Sequence, residues 1–240
     1  MELLITLFNE ILYRPLFNGL IFLYNIIPGH DLGIAIIVLT SLIRLILYPL
    51  SSKAIRSQKA IAELQPEIKE IQRKYKNKEE QARAMMALYQ KYKVNPMSGC
   101  LPILIQFPIL IALYRVFITG LEPQKLDILY SFIKRPESLN VMFLGIVNLS
   151  QRSITLALLA GFFQFIQSKM IMPKKKAAQK SLKVGGLDFS SLMGQQMTYF
   201  MPLLTVVIAW SLPAALPLYW MVVIIFGIIQ QYFTRVKVGG

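Results

Sequence analysis

Long apolar runs separated by charged segments dominate the pattern of this chain. A bilayer core about 30 Å thick is crossed by a helix of about 20 apolar residues, and five runs qualify if isolated polar residues are tolerated. They are Leu32–Leu50, Cys100–Ile118, Ile154–Met172, Thr198–Leu212 and Ala214–Phe233. Because little more than Pro213 separates the last two runs, we expect them to form a tight hairpin. The pattern predicts an all-α integral membrane protein with five transmembrane helices.

Residues 1–27 are apolar as well, but polar residues interrupt them. They lack a basic first segment and a small-residue cleavage site, so they make a poor signal peptide. An amphipathic helix lying in the membrane interface fits them better than a sixth span does. The interrupting residues are Asn9, Glu10, Arg14, Pro15 and Asn18.

The charged segment 51–99 shows helical periodicity of its own. Apolar residues recur at intervals of three and four on both sides of the sequence KNK at 76–78, which predicts two amphipathic helices folded back as an antiparallel hairpin. The apolar positions are Ile61, Leu64, Ile68, Ile71 and Tyr75, then Ala82, Met85, Tyr89 and Tyr92. The polar face of this hairpin is basic. It is either an ordinary solvent-exposed face or a surface that contacts anionic lipid headgroups and nascent chains.

The distribution of Lys and Arg predicts the orientation. Segment 51–99 carries eleven of them and loop 173–195 carries five, whereas loop 119–153 carries four beside three acidic residues. Since cytoplasmic loops are enriched in Lys and Arg, the first two segments are expected in the cytoplasm and loop 119–153 outside. Five spans then place the N-terminus outside and the short tail 234–240 in the cytoplasm.

Composition narrows the function further. The chain is 55% hydrophobic, with 26 Lys and Arg against 12 Asp and Glu and a net charge of +14; so apolar a chain is unlike a soluble nucleic-acid-binding protein. One Cys and one His exclude an internal disulfide and disfavour metal clusters and catalytic triads. No carboxylate pair lies in an apolar run, and no phosphate-binding loop is present. These features argue against an enzyme, and no cofactor or metal is expected.

Arg44 is the residue that the apolar pattern does not explain. An arginine at the centre of a span costs ~2.5–3.5 kcal/mol or more, and no Asp or Glu lies in a predicted span to pair with it. Two interpretations remain: the side chain snorkels to the cytoplasmic surface, or it faces a water-filled cavity. Other polar residues of the spans suit such a cavity, although Thr and Gln more often join helices to one another. They are Thr40, Gln106, Gln164 and Gln167.

Some of the remaining span residues have simpler interpretations. Arg115 fits an interfacial anchor, and Tyr219, Trp220 and Tyr232 fit interfacial aromatic residues, although Trp220 lies deep for that role. Proline kinks leave room for a groove between helices. A positive, wet surface inside the membrane attracts either an anionic solute or an acidic stretch of polypeptide, and periodicity does not choose between them.

Several segments resemble the YidC/Oxa family of membrane protein insertases, in the same order along the chain. NPMSGCLPILIQFPILIALYRVF resembles the family's signature span, and TSLIRLILYPL resembles its first conserved span, with the arginine in the matching place. QPEIKEIQRKY and MMALYQKYKVNP resemble its cytoplasmic hairpin, and MTYFMPLL and LYW…IIQQYF its last two spans. The segments lie at 95–117, 40–50, 65–75, 85–96, 197–204 and 218–233.

The resemblance implies a five-span core around a hydrophilic groove that opens to the cytoplasm and to lipid and is closed outside. In that picture the arginine attracts the acidic end of a substrate whose apolar segment then enters the lipid. The expected partners are nascent membrane proteins with acidic N-terminal tails, the ribosome, the Sec translocon and anionic lipids. By motif match Thr40 and Arg44 are groove residues, Trp220 is an aromatic that contacts substrate and Gln106 is a signature residue. Gln167, from the more loosely matching third span, completes the expected substrate-binding groove.

The chain departs from the family pattern in the fifth span. Ala215 and Ile224 stand where family members often have Gly and Asn, and Pro217 is added. There is no large extracytoplasmic domain and no lipid-attachment cysteine near the N-terminus, so the chain resembles the short form. Two other functions remain open on the residues alone. They are a small-anion transporter or channel, which favours inverted repeats, and a passive scaffold for membrane protein assembly.

Overall fold

The computed structural model describes residues 2–95, 97, 101–119, 128–171 and 189–234, and these residues are mainly helical. Segment 128–153 is largely irregular and contains two short antiparallel strands, with Phe143 opposite Val147. The predicted all-α class is therefore confirmed. The elements are α1 Glu2–Phe8, a π-helical segment Asn9–Tyr13, α2 Arg14–Ile26, α3 Leu32–Ile46, α4 Tyr48–Glu63, α5 Gln65–Lys74, α6 Lys78–Lys91, α7 Leu101–Thr119, β1 Met142–Phe143, β2 Val147–Asn148, α8 Ile154–Ile171, α9 Phe189–Ser211 and α10 Ala215–Phe233.

Two described helices, α8 and α10, are long and apolar enough to cross a membrane, and the bent pair α3–α4 counts as a third if it is taken as one span. Ile105–Phe117 within α7 and Thr198–Ser211 within α9 are also apolar. All five predicted spans thus coincide with helical segments, while the number that cross the bilayer stays a prediction. Helix α9 begins well before the predicted start of the fourth span, and most of loop 173–195 and of tail 234–240 lies outside the described residues.

The main core lies where α2, α3, α7 and α10 meet. Bulky side chains recur every three or four residues along α2 and bury one face of that helix against α3. Burial of such side chains contributes roughly 1.5–3 kcal/mol each. The fully buried large side chains of this core are Phe17, Leu20, Ile21, Leu32, Ile36, Leu113, Val116, Leu149, Leu216 and Leu218.

Polar residues in the N-terminal helices bind other parts of the chain. The Asn18 side chain donates to the carbonyl of Ile128 at 3.2 Å and accepts from the amide of Tyr130 at 2.7 Å. The Tyr24 hydroxyl accepts from the amide of Asn140 at 2.7 Å. Helix α2 therefore uses its interrupting polar residues to hold the segment that follows α7. Whether residues 1–27 lie on the membrane or cross it stays a prediction.

Asp31 closes the bundle at the end where α3 begins. One carboxylate oxygen accepts from the amide of Ile34 at 3.0 Å and caps α3, and the other accepts from the amide of Leu144 at 2.6 Å. The ring of Phe143 packs directly over Gly33, which has no Cβ to obstruct it. The β-hairpin is thereby fixed across this end of the bundle.

The first predicted span ends earlier than expected, because the helix bends by 70° between α3 and α4. Helix α3 stops at Ile46, whereas the prediction extended the span to Leu50. Pro49 lies in the first turn of α4, a position that tolerates proline because the first amide groups of a helix have no partner within it. In an unbroken helix the proline ring would clash with the preceding turn, so the chain changes direction here.

Helix α4 is fastened to the last turn of α10 by two side chains. The amide nitrogen of Gln230 lies 3.0 Å from the carbonyl of Tyr48 and 2.8 Å from the Ser52 hydroxyl. The Lys59 ammonium donates to the carbonyls of Gln231 and Thr234 at 2.5 and 2.6 Å. A cation at a helix C-terminus is favourable because the last carbonyls are unpaired there. Burial lowers the pKa of Lys59, and the charge of Glu63 opposes that effect.

Helices α5 and α6 form the predicted hairpin with a small core of its own, built on Leu64, Ile68 and Leu88. The Tyr92 hydroxyl donates to the carboxylate of Glu67 at 2.7 Å and joins the two arms. This hydrogen bond, aided by burial, raises the pKa of the tyrosine. Six predicted apolar positions pack in this core, while the predicted Ile61 belongs to α4 and Leu88 was not among the predicted positions. The six are Leu64, Ile68, Ile71, Met85, Tyr89 and Tyr92.

Helix α8 lies between α9 and α10, and small residues allow the close approach. Ala157, Ala160 and Gly161 are buried. A Cβ placed on Gly161 would meet the branched side chain of Val206 and lie 3.2 Å from the carbonyl of Pro202. Small residues at helix interfaces let backbones pack closely in membranes, where van der Waals contact is the main attraction.

We expect Gly161→Ala to lower the free energy of unfolding by about 1–3 kcal/mol, because Val206 and the α9 backbone would have to shift. Reversible unfolding of the reconstituted chain in mixed micelles measures this. Gly19→Ala is the matched control, since its Cβ would meet only the end of the Leu39 side chain at 3.3 Å. Equal losses from both substitutions would contradict the packing argument.

Candidate functional site around Arg44

Arg44 lies in the last turn of α3, two residues before that helix ends. Its position is therefore less central than the sequence suggested, because the bend at Leu47 shortens the helix. A cation in the last turn of a helix is favoured by the unpaired carbonyls there. The side chain is nevertheless half-buried between helices, so its charge still needs polar partners.

The partner that Arg44 has is a neutral amide. Its guanidinium donates to Oε1 of Gln106 on α7 at 2.8 Å. The amide nitrogen of Gln106 in turn donates to the hydroxyl of Tyr219 on α10. A chain of two hydrogen bonds thus links α3, α7 and α10 through one residue of each.

No carboxylate forms an ion pair with Arg44 in the part of the chain that the structure describes. A guanidinium has five N–H donors, and Gln106 accepts from one of them. The amide satisfies part of the hydrogen-bonding capacity but leaves the full positive charge uncompensated. The site is therefore electropositive and retains donors for a further acceptor.

A small cavity of about 20 Å³ opens beside the guanidinium, among α3, α4 and α7. Its polar lining comes from Arg44, Ser51 and Gln106, and its apolar lining includes Leu47 and Ile105. This volume accommodates about one water molecule. The cavity lies at the end of α3 from which α4 departs. A wide hydrophilic groove stays a prediction.

Among the described side-chain hydrogen bonds, none joins the other predicted site residues to Arg44. Thr40 is buried and its hydroxyl donates to the carbonyl of Ile36 in its own helix at 2.6 Å. The amide of Gln167 lies against Gly227, between α8 and α10. Trp220 is half-buried on α10. Of the five residues proposed from the sequence, the structure joins Arg44 and Gln106 by a hydrogen bond; roles for the other three in a groove stay predictions.

Tyr219 is the site residue that sequence reasoning missed. We interpreted it as an interfacial aromatic, but its side chain is 2% exposed and accepts a hydrogen bond inside the bundle. Its position deep in the fifth apolar run could have indicated this role. A tyrosine at that depth is expected to be buried, and a buried tyrosine hydroxyl usually has a polar partner. The nearby departures from the family pattern, Ala215 and Ile224, are also buried in the packed interior.

Arg115, expected to be an interfacial anchor, lies far along α7 from Gln106. Its guanidinium donates to Oδ1 of Asn9 at 2.9 Å and lies 5.0 Å from the centre of the Tyr13 ring. Such cation–aromatic contacts stabilise by about 0.5–1 kcal/mol at exposed sites. Arg115 therefore joins α7 to the π-helical segment.

Metal chemistry has no support in the described ranges, where no cluster of three or more His, Cys, Asp or Glu residues occurs. The site around Arg44 contains neither a nucleophile paired with a base nor a second titratable group of opposite charge. What it offers is a fixed positive charge, two neutral hydrogen-bonding partners and a small opening. That combination is suited to transient attraction of an anion.

Comparison with known proteins gives a consistent result. The model of the family described as "60Kd inner membrane protein" matches residues 22–239. The "Membrane protein insertase YidC" of Fusobacterium nucleatum subsp. nucleatum is 34% identical over 229 residues, covering 94% of this chain and 98% of the relative. The protein of the same description from Clostridium perfringens is 38% identical, covering 85% and 79% of the two chains.

A solved structure is similar as well. The chain described as "Active YidC insertase crystal structure with the first transmembrane domain resolved" is 26% identical, with a TM-score of 0.56. The match covers 93% of the present chain and 47% of that one. The present chain thus spans about half the length of the solved relative.

We expect Tyr219→Phe to lower the free energy of unfolding by roughly 0.6–1.7 kcal/mol, because the Gln106 amide loses its acceptor inside the bundle. Reversible unfolding in mixed micelles measures the change. Tyr232→Phe is the matched control, since this tyrosine lies on the same helix and is 75% exposed. A Tyr219→Phe protein as stable as the control would show that the hydrogen bond contributes nothing.

Proposed function

The chain belongs to the 60Kd inner membrane protein family, and we propose that it inserts polypeptides into the bacterial cytoplasmic membrane and helps them to fold there. The observation that carries the proposal is the electropositive site at Arg44, whose hydrogen-bonded partner Gln106 is neutral. The family relationship and the apolar helices support a multi-pass protein of the bacterial inner membrane.

We place the Arg44 end of the bundle at the cytoplasmic side. The support is the positive-inside rule, because the eleven Lys and Arg residues of segment 51–99 follow directly after Arg44. With five spans, the N-terminus then lies outside and the C-terminus in the cytoplasm. In this orientation the cavity beside Arg44 faces the cytoplasm, and Asp31 and the β-hairpin lie on the outer side.

The physical role of Arg44 is to draw an acidic segment into the membrane region. A unit charge pair at 4 Å interacts with about 4 kcal/mol at an effective dielectric constant of 20. The attraction is temporary because the arginine already has a neutral partner and its surroundings hold only a small cavity. A groove that widens when substrate enters would shorten the path through hydrocarbon for the polar segment.

Two sources supply the driving force for insertion. Burial of the apolar segment of the substrate in lipid contributes about 25 cal/mol per Å² of apolar surface. The membrane potential adds about 2.3 kcal/mol per 100 mV for each negative charge that moves outward. The chain itself needs only to lower the barrier, which is consistent with a site built from one cation and neutral groups.

The partners follow from this role. Nascent membrane proteins with acidic N-terminal tails are the substrates that suit the charge of Arg44. Groove roles for Thr40, Gln167 and Trp220, and contacts with the ribosome, the Sec translocon and anionic lipids, are further parts of the proposal. The exposed basic face of the α5–α6 hairpin is the surface that supports such contacts.

We expect Arg44→Ala to reduce insertion of a single-span substrate with an acidic N-terminal tail by about tenfold, equivalent to ~1.4 kcal/mol. The measurement uses liposomes that contain only this chain and counts protease-protected substrate. Arg44→Lys should retain part of the activity because it keeps the charge. Arg83→Ala on the exposed face of α6 is the matched control.

The same assay with a neutral tail distinguishes attraction from structure. If Arg44→Ala impairs both substrates equally, the arginine holds the fold rather than attracting the tail. If wild-type protein inserts neither substrate, the chain acts with a partner or as an assembly scaffold, and the proposed autonomous insertion is wrong.

We also expect Gln106→Glu to suppress insertion of the acidic-tail substrate as strongly as Arg44→Ala, while leaving the protein at least as stable as wild type. The new carboxylate would lie where the Gln106 oxygen now lies, 2.8 Å from the guanidinium, and would neutralise it. Gln90→Glu, on the exposed face of α6, adds the same charge elsewhere. Full activity in the Gln106→Glu protein would contradict a role for uncompensated charge.

A further inference from the structure

A second basic site lies where α4 begins and α10 ends. A cavity of about 320 Å³ opens there between Ser52, Lys53 and Arg56 of α4 and Phe233 and Thr234 at the end of α10. It shares no lining residue with the cavity beside Arg44. A cavity of this volume can hold a small molecule, whereas the cavity beside Arg44 holds about one water molecule.

The cavity is electropositive. Lys53 and Arg56 are three residues apart on α4 and therefore lie on the same face of the helix. Neither forms an ion pair within the described ranges, and no Asp or Glu lines the cavity. The carbonyls at the end of α10 would oppose an anion, but Lys59 already binds those of Gln231 and Thr234. The remaining field favours a negative ligand.

The rim of the cavity is apolar and open. Ile46, which ends α3 two residues before the cavity, is 76% exposed, and Phe233 at the cavity wall is 70% exposed. Tyr48, which also lines the cavity, is exposed beside them. The cavity thus combines two exposed aromatic rings, Tyr48 and Phe233, with two cations, a combination typical of the interface between hydrocarbon and headgroups.

The course of the backbone indicates that this cavity lies at the membrane interface. Helix α3 ends at Ile46 and α4 turns away by 70°, and α10 ends beside the first turns of α4. An apolar helix that crosses the bilayer and then bends by 70° continues close to the membrane plane. The cavity therefore lies where two apolar helices leave the hydrocarbon region.

From these observations we propose that the cavity binds the phosphate headgroup of an anionic phospholipid, phosphatidylglycerol being the probe of choice. Lys53 and Arg56 pair with the phosphate, the Tyr48 and Ser52 hydroxyls face the polar headgroup, and the acyl chains lie along Ile46 and Phe233. Basic pockets at the cytoplasmic ends of membrane helices suit such headgroups. The exposed rings of Tyr48 and Phe233 at the cavity wall are the reason to prefer a lipid to a soluble anion or an acidic peptide.

The site gives a location to the anionic-lipid contact of the proposed function and rests on the membrane placement proposed there, but it does not involve Arg44. A bound lipid would join α4 to the end of α10 in addition to Gln230 and Lys59, and would hold the base of the α5–α6 hairpin at the membrane surface. Membrane composition would thus affect the position of the hairpin without entering the site of substrate attraction.

Native mass spectrometry of the detergent-solubilised chain, titrated with phosphatidylglycerol and separately with phosphatidylcholine, tests the proposal. We expect phosphatidylglycerol to bind wild type at least about tenfold more tightly, given ~1 kcal/mol per nearby Lys or Arg. The double variant Lys53→Gln and Arg56→Gln should lose this preference. The matched double variant Lys74→Gln and Lys76→Gln removes the same charge from the hairpin and should keep it.

Three results would overturn the proposal. The first is equal affinity of wild type for the two lipids, and the second is an equal loss of preference in the two double variants. The third is displacement of phosphatidylglycerol by glycerol phosphate at concentrations comparable to those of the lipid. That third result would indicate a site for a soluble anion. The preference does not depend on insertion activity, so its failure and a failure of the proposed insertase function are distinguishable. Lys53 and Arg56 are exposed, so the substitutions are expected to leave the fold intact.

Discussion

A guanidinium without a counter-charge is the constraint around which this bundle is arranged. Arg44 lies in the last turn of α3, and its guanidinium donates to the Gln106 oxygen at 2.8 Å. The amide nitrogen of Gln106 in turn donates to the Tyr219 hydroxyl. Three helices must keep their register for this chain of hydrogen bonds to persist. Replacement of the amide by a carboxylate would satisfy the same geometry and remove the field. Because Gln106 is neutral, Arg44 has a hydrogen-bonding partner within the apolar helices while its positive charge stays uncompensated.

The rest of the architecture holds the two ends of that bundle in different ways. At the end where α3 begins, Asp31, Asn18 and Tyr24 bind the backbone of the segment that follows α7 and close the surface with a β-hairpin. At the other end, Gln230 and Lys59 fasten α4 along α10. The closed end depends on polar side chains bound to loop backbone, whereas the other end leaves cations unpaired beside small cavities. This asymmetry fits a site that receives a polar segment from one side only.

Local patterns in the sequence predicted the helices and the hairpin, because both depend on spacing within one segment. Leu64 and Ile68, which belong to the hairpin core with Leu88, are examples of such predicted positions. Pro49 was a local indication of the bend after Ile46. The predicted span nevertheless continued to Leu50, because a helix needs about 20 apolar residues to cross a membrane. The roles of Tyr219 and Asn18 depend on partners more than a hundred residues away, and no periodicity within one segment indicates such partners. The apolar pattern and then the family resemblance singled out Arg44 and Gln106 as candidate site residues, while their hydrogen bond became visible only when α3 and α7 were placed side by side.

Accessibility of position 44 tests the central account most directly. A single cysteine is introduced as Arg44→Cys in a Cys100→Ser background, and a membrane-impermeant thiol reagent is added to the cytoplasmic or the outer face of sealed vesicles. If the arginine occupies a site that is open on one side, the cysteine will react from the cytoplasmic face and remain protected from the outer face. Equal reaction from both faces would contradict the account and indicate a channel through the bundle. Protection from both faces would contradict it too, because the charge would then be a buried structural feature that no substrate reaches.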